Sequence, residues 1–127
     1  MYPGKLTILR DHVFRASKPA IVGVRVLAGR IRPGEFLMKE DGRRVGKIKS
    51  IRSGEESLKE AIAGNEVAIS IDDAVVGRQI DVEDILLVDI PEGDAHELAD
   101  QQLKHDELEV LEQVAVIKRK EKPFWGR

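Results

Sequence analysis

Apolar and polar residues alternate in short runs over the first 90 residues of the chain, which is the period of β-strands. The runs are rich in β-branched residues, as in "PAIVGVRVLA", which ends at Gly29. Ile48 and Ile51 lie three residues apart and break the alternation within their run, so we expect a bulge or bend there. The six predicted strands are Lys5–Arg10, Pro19–Ala28, Glu35–Lys39, Val45–Arg52, Glu66–Ile71 and Ile85–Asp89.

This strand pattern indicates a mainly β fold. Several short strands separated by glycine turns are typical of a sandwich or a barrel. Long open edges invite pairing with other chains, and a closed sheet has none, so closure is favoured. We therefore predict a closed antiparallel β-barrel over residues 1–90.

The period changes after Pro91. Apolar residues recur at helical spacing, and two pairs of acidic residues, Asp94 with Glu97 and Asp106 with Glu109, have the spacing of a capping box. These pairs predict two helices joined at Lys104 and His105, which form a hairpin over residues 91–127 and pack on the barrel.

The second predicted helix carries an apolar stripe formed by Leu108, Leu111, Val114 and Ile117. A single stripe normally faces the protein's own core. Val110, however, lies off the centre of this stripe, and the basic residues 118–120 follow it closely. Two interpretations therefore stay open: a core-facing helix, or a groove that binds a peptide of acidic and aliphatic residues.

Length and composition limit the possible classes. The chain has 127 residues and no cysteine, which excludes disulfides and thiolate metal sites and fits a reducing compartment. No apolar run approaches the roughly 20 residues of a membrane span. We expect a soluble, cytoplasmic protein that does not contact a membrane.

Charge is strongly segregated along the chain. Residues 5–52 contain 13 basic and 4 acidic residues, whereas residues 53–113 contain 3 basic and 18 acidic ones. One interpretation is a surface that meets an anion; the other is that the two parts are simply solvated by different charges.

The sequence lacks the usual marks of an enzyme. The "GK" pairs at residues 4–5 and 46–47 have neither the upstream glycine nor the following Ser or Thr of a phosphate-binding loop. His12, His96 and His105 are scattered, which argues against a zinc site. We expect no catalytic residues, no metal and no enzymatic activity in this chain.

Two motifs carry a resemblance to translation factors. A "KIKSI" strand followed by the corner "EAIAGNEVAI" resembles the β-barrel that forms the second domain of translational GTPases. The stretches "FRASKPAIVGVRVLAG", "LMKEDG", "VAISIDDAVVGRQI" and "ELEVLEQVAVIKRKEKPFWG" are similar to the last domain of the archaeal and eukaryotic initiation factor five B family, the counterpart of bacterial initiation factor two.

The resemblance implies a binding module without its GTPase domain, so this chain would use no cofactor, whereas the parent protein uses GTP and magnesium. It implies binding to the aminoacyl acceptor end of initiator methionyl-tRNA and, on the ribosome, a role in subunit joining. By position in the family pattern, the loop "HVFRASK" at residues 12–18, Val24, the turn at residues 52–53 and the corner at residues 64–68 are expected to border the tRNA end. The residues singled out within these stretches are Phe14, Arg15, Lys18, Val24, Arg52, Ser53, Gly64, Val67 and Ala68. Phe14 either stacks on a base or plugs the barrel end.

The runner-up is a protein-interaction module. In the eukaryotic branch of the family, the helices also receive the C-terminal tail of initiation factor one A. The corresponding groove here would be bounded by Leu103, Val110, Val114 and Lys118. A small-molecule-binding barrel enzyme is a third class, with little support in the sequence.

Overall fold

The structure is a computed structural model that describes residues 2–126 and, for Ala99, the backbone alone. The strands, in chain order, are β1 Gly4–Arg15, β2 Ala20–Ile31, β3 Phe36–Lys39, β4 Arg44–Ser53, β5 Glu56–Leu58, β6 Ala61–Ile62, β7 Glu66–Asp72 and β8 Ile85–Val88. The helices are α1 Glu92–Ala99 and α2 His105–Arg119.

Six strands close into an antiparallel barrel in the order β1, β8, β3, β4, β7, β2, and β2 then pairs with β1. The short strands β5 and β6 add to β4 and β2 outside this circuit. The predicted closed barrel followed by two helices is confirmed. The division of the chain at residue 90 into two units stays a prediction.

The barrel interior explains the alternation in the sequence. Inward-facing residues such as Val22, Val24 and Val26 are almost completely buried, and the intervening side chain of Arg25 is exposed. The aliphatic residues of the other strands complete the same core. The predicted irregularity near Ile48 is a shift of register between Ile48 and Ser50 in the pairing of β4 with β7.

Strand β1 is longer than predicted and contains a large bulge. Ile8 pairs with Val24, and the next registered pair is Val13 with Val22, so four residues of β1 lie opposite Gly23 alone. Asp11, inside the bulge, has a positive φ of 65°. The segment after Arg10, beyond the predicted end of this strand, is therefore mostly strand.

Both predicted capping boxes are wrong. Helix α1 begins at Glu92 after Pro91, which places Asp94 inside the first turn. Helix α2 begins at His105, and its third residue, Glu107, accepts the Lys104 N–H at 3.2 Å. The physical reason is that Asp106 has another role: its carboxylate accepts the Gly29 N–H of β2 at 2.8 Å.

Polar contacts as well as apolar ones hold α2 on the barrel. The buried Glu107 carboxylate pairs with Arg30 of β2, with Nε and Oε2 3.2 Å apart, and Arg30 also contacts Glu60. The hydrogen bond from Gly29 holds the pKa of Asp106 below its ordinary value. A polar residue thus occupies the buried face of α2, which runs through Glu107, Val110, Val114 and Ala115 and differs from the predicted stripe.

No helix in residues 2–126 combines the length and apolar character that a membrane crossing requires.

Candidate nucleic-acid interface

The outer face of the barrel carries a shallow trough where β4, β7, β2 and β1 lie side by side. Arg52 pairs in register with Ala68, and Ala68 pairs in register with Gly23. Because Ala68 and Gly23 have little or no side chain, the centre of this face is low, and Arg52 stands at one margin.

The β1 bulge forms the other margin and requires the glycine beneath it. A Cβ atom on Gly23 would lie 2.6 Å from the Cβ of His12, closer than real Cβ contacts come. His12 in turn lies edge-on to Phe14, with ring centroids 6.3 Å apart, and its Nδ1 lies 2.8 Å from the carbonyl oxygen of Arg10. Gly23 therefore lets the bulge fold down over the sheet and present two rings beside the trough.

These margins enclose a pocket of about 280 Å³. Its lining residues are Leu9, His12, Phe14, Gly23, Arg52, Ser53, Gly54, Glu66, Val67 and Ala68. Phe14 is 64% exposed, so it does not plug the barrel. Arg52 is exposed and forms no ion pair with any residue in the described range 2–126. The pocket thus offers an aromatic face for stacking and an unneutralised guanidinium for an anion.

The structure brings five of the nine predicted tRNA residues to this pocket: Phe14, Arg52, Ser53, Val67 and Ala68. Val24 is completely buried in the barrel and does not line the pocket. The exposed Gly64 lies outside the pocket and donates its N–H to the Val26 carbonyl at 2.8 Å. Arg15 donates to the Ser17 carbonyl, and Lys18 lines a different pocket.

The sequence analysis missed Leu9, Gly23 and Gly54, whereas His12 and Glu66 fall within the stretches 12–18 and 64–68 that it expected at the tRNA end. Gly23 interrupts a β-branched run, which is a recognised signal for close approach of another backbone or side chain. Glu66 lies at the pocket margin with its carboxylate against the guanidinium of Arg25, its register partner on β2. The family pattern placed His12 in the expected stretch, but its position over Gly23 depends on the length of the bulge, which the sequence pattern did not predict.

The predicted groove on the helices takes a different form. Val110 and Val114 are buried against the barrel, so Val110 lies at the centre of the core face and was wrongly placed off it. Leu103 is partly buried, and Lys118 pairs with the buried Asp89. Leu108 and Val116, 43% and 59% exposed, face outward instead.

Residues 2–126 contain no group of three or more His, Asp or Glu side chains arranged to hold a metal ion. The three histidines lie apart, in the β1 bulge, in α1 and at the start of α2.

Comparison with known proteins gives a consistent family assignment. The family model described as elongation factor Tu domain 4 matches residues 2–87. A probable translation initiation factor IF-2 from Methanopyrus kandleri is 52% identical over 127 residues, which cover 98% of this chain and 21% of that protein. A probable translation initiation factor IF-2 from Thermoplasma volcanium is 47% identical over 124 residues, again 98% of this chain and 21% of that protein.

A solved structure shows the same architecture. The crystal structure of GDP-bound aIF5B from Aeropyrum pernix superposes with a TM-score of 0.94 at 41% sequence identity, over 99% of this chain and 22% of that one. The chain thus spans about a fifth of the length of these proteins. It belongs to the elongation factor Tu domain 4 family and is a domain of the IF-2 and aIF5B class of translation initiation factors.

Proposed function

We propose that this domain binds the aminoacyl acceptor end of initiator methionyl-tRNA and thereby supports joining of the ribosomal subunits. The observation that carries the proposal is the pocket between Phe14 and Arg52. An acceptor end is a single strand with exposed bases and phosphates, so it needs a stacking surface and a cation close together. The similarity to translation initiation factors supports a ligand taken from the initiation machinery.

The proposal assigns distinct roles to the two margins. Phe14 stacks on a base of the acceptor end, and Arg52 contacts a phosphate or the ester. The low floor at Gly23 and Ala68 leaves room for the terminal nucleotide and its amino acid. The chain itself takes part in no chemical step; hydrolysis of GTP, with its magnesium, belongs to other parts of the longer factors.

The test is a binding titration of the domain with initiator methionyl-tRNA. Phe14→Ala should weaken binding by about 1–3 kcal/mol, the usual value of one base stacked on an aromatic side chain. Its thermal melt should stay within about 0.5 kcal/mol of the wild type, because the ring is largely exposed.

A matched control exists at the other end of the chain. Phe124 is 80% exposed and lies outside the pocket, so Phe124→Ala should leave tRNA affinity unchanged. Equal affinity for wild type and Phe14→Ala would remove Phe14 from the site, and failure of the wild-type domain to prefer tRNA with an intact aminoacylated end would refute the proposal.

We propose a second, weaker interaction for the helices, with the C-terminal tail of initiation factor one A. A groove of about 540 Å³ runs between α1, α2 and the C-terminal turn, and exposed Leu108 and Val116 lie along it beside Leu111 and Trp125. Apolar anchors of this kind suit the aliphatic residues of a short peptide. In a chemical-shift titration with that tail, perturbations should follow Leu108 and Val116; perturbations confined to the barrel would refute this assignment.

A further inference from the structure

A second pocket, of about 620 Å³, opens on the same side of the barrel, where β2 begins and β7 ends. Three cationic side chains line it: Lys18 from the turn before β2, Lys49 from β4 and Arg78 from the loop after β7. None of the three forms an ion pair with a residue in the described part of the chain. Two carboxylates, Asp72 and Asp73, also line the pocket, so these five side chains carry a net charge of +1.

The unpaired cations differ from most other cations of the barrel. Arg30, Arg32 and Arg44 each contact a carboxylate within 4 Å. On the outer face of β4, by contrast, Lys47, Lys49 and Arg52 are exposed and form no ion pair within residues 2–126. An exposed cation without a carboxylate partner retains its full attraction for an external anion.

The two pockets lie along the same strands. From Arg52, opposite Ala68, the outer face continues to Ser50, opposite Ser70, where the Ser50 hydroxyl donates to the Ser70 hydroxyl oxygen at 3.0 Å. It then reaches Lys47, opposite Asp72 at the second pocket. At about 3.3 Å per residue, Arg52 and Lys47 are about 16 Å apart along β4. The half-buried Ile21 of β2 lies beside this path as the register partner of Ser70.

We propose that these cations form a phosphate track, defined as Lys18, Lys47, Lys49 and Arg78, that binds the RNA sugar–phosphate backbone behind the terminal nucleotides. The inference rests on the proposed function, because the acceptor end in the first pocket sets where the RNA begins. A pocket with a net charge of only +1 is a poor trap for one small anion. An extended polyanion, in contrast, reaches the track and Arg52 together.

The experiment compares two RNAs and two variants. The RNAs are intact initiator methionyl-tRNA and the same tRNA without its last three nucleotides and methionine. The test variant is Lys49→Gln with Arg78→Gln. The control is Lys120→Gln with Lys122→Gln, which removes the same charge from exposed residues at the end of α2, away from both pockets.

The test variant should bind both RNAs about tenfold more weakly than the wild type. The slope of log affinity against log salt should become shallower by about 1–2, because two side chains no longer neutralise phosphates. The control should change neither quantity. Phe14→Ala should weaken only the intact tRNA, which separates the track from the end-binding pocket.

Three other results would each refute one or both proposals. If the test variant binds intact tRNA like the wild type, with the same salt slope, the track is refuted and the end-binding proposal stands. If the wild type binds intact tRNA and fails to bind the shortened one, the whole interaction belongs to the end and the track is again refuted. If the wild type binds neither RNA, both proposals fall.

Discussion

Two sides of this small barrel use their charges in opposite ways. On the paired side, Arg30, Arg32, Arg44 and Lys118 hold buried or half-buried carboxylates and fasten α2 and the chain after β8 to the barrel. The open face is defined by Lys47, Lys49 and Arg52 of β4, with the trough beside them. These three cations have no carboxylate partner in residues 2–126.

This difference in charge pairing predicts which substitutions change the stability of the domain and which change its binding. Buried ion pairs are costly to break, because removal of one partner leaves the other desolvated and uncompensated. Exposed single cations contribute little to folding. Substitutions of the paired ions should therefore change stability, and substitutions of the open-face cations should change affinity for an anion. Four single substitutions and one double variant test this separation and the geometry behind it.

The largest effect is expected from Glu107→Ala. The substitution leaves Arg30 with Glu60 alone and takes the carboxylate from the Lys104 N–H. We expect the free energy of unfolding to fall by about 2–3 kcal/mol, below the roughly 3–5 kcal/mol of a fully buried pair because the Arg30 side chain is 24% exposed. Chemical denaturation measures the loss.

Arg52→Ala on the open face is the matched comparison for this variant and should change unfolding by less than about 0.5 kcal/mol. If both substitutions destabilise the domain equally, the contrast between the two sides does not hold.

An intermediate effect is expected from Gly23→Ala, which pushes a methyl group against His12 at the floor of the trough. Overpacking usually costs about 1–3 kcal/mol, and we expect about 1–2 kcal/mol because the bulge is exposed and can shift. The displaced rings of His12 and Phe14 should also lower tRNA affinity about tenfold.

Addition of His12→Gly to Gly23→Ala should restore most of the lost stability, since it removes the atom that the new methyl group meets. If the double variant is as unstable as Gly23→Ala and both bind tRNA like the wild type, the bulge does not shape the pocket.

The smallest effect concerns Asp106, whose pKa is held below its ordinary value of 3.8 by the Gly29 N–H. The folded state favours the ionised carboxylate, so its contribution is complete above the unfolded pKa and is lost as the pH falls through the lower folded value. Asp106→Asn should therefore cost about 0.5–1 kcal/mol at pH 7.

The cost of Asp106→Asn should vanish at a pH below the folded pKa, which denaturation at several pH values measures. A difference from the wild type that stays constant down to acid pH would show that the carboxylate's charge is not what holds α2 here.

Local patterns in the sequence predicted the barrel well. Alternation in runs such as residues 20–28 directly reports which residues face the interior, and helix and strand periods differ clearly on either side of Pro91. The helix starts were harder to place. Asp106 has the spacing of a cap, and only tertiary structure shows that its carboxylate bonds to β2 instead.

The candidate site was predictable only in part. Phe14, Arg52 and Ala68 fall at positions given by the family pattern. The pairing of cations did not follow from the sequence, because the partners of Arg30 and Arg44 lie 77 and 45 residues away. The open face is visible only once these long-range pairs are known.

The β1 bulge allows the pocket margin to change without a change in the register of the barrel strands. Its flanking pairs, Ile8 with Val24 and Val13 with Val22, fix the barrel on both sides, whereas the residues between them have only Gly23 opposite. A residue gained or lost within the bulge would alter the margin of the pocket and leave the strand register intact. The length of this one segment can therefore set the shape of the pocket margin independently of the barrel that carries it.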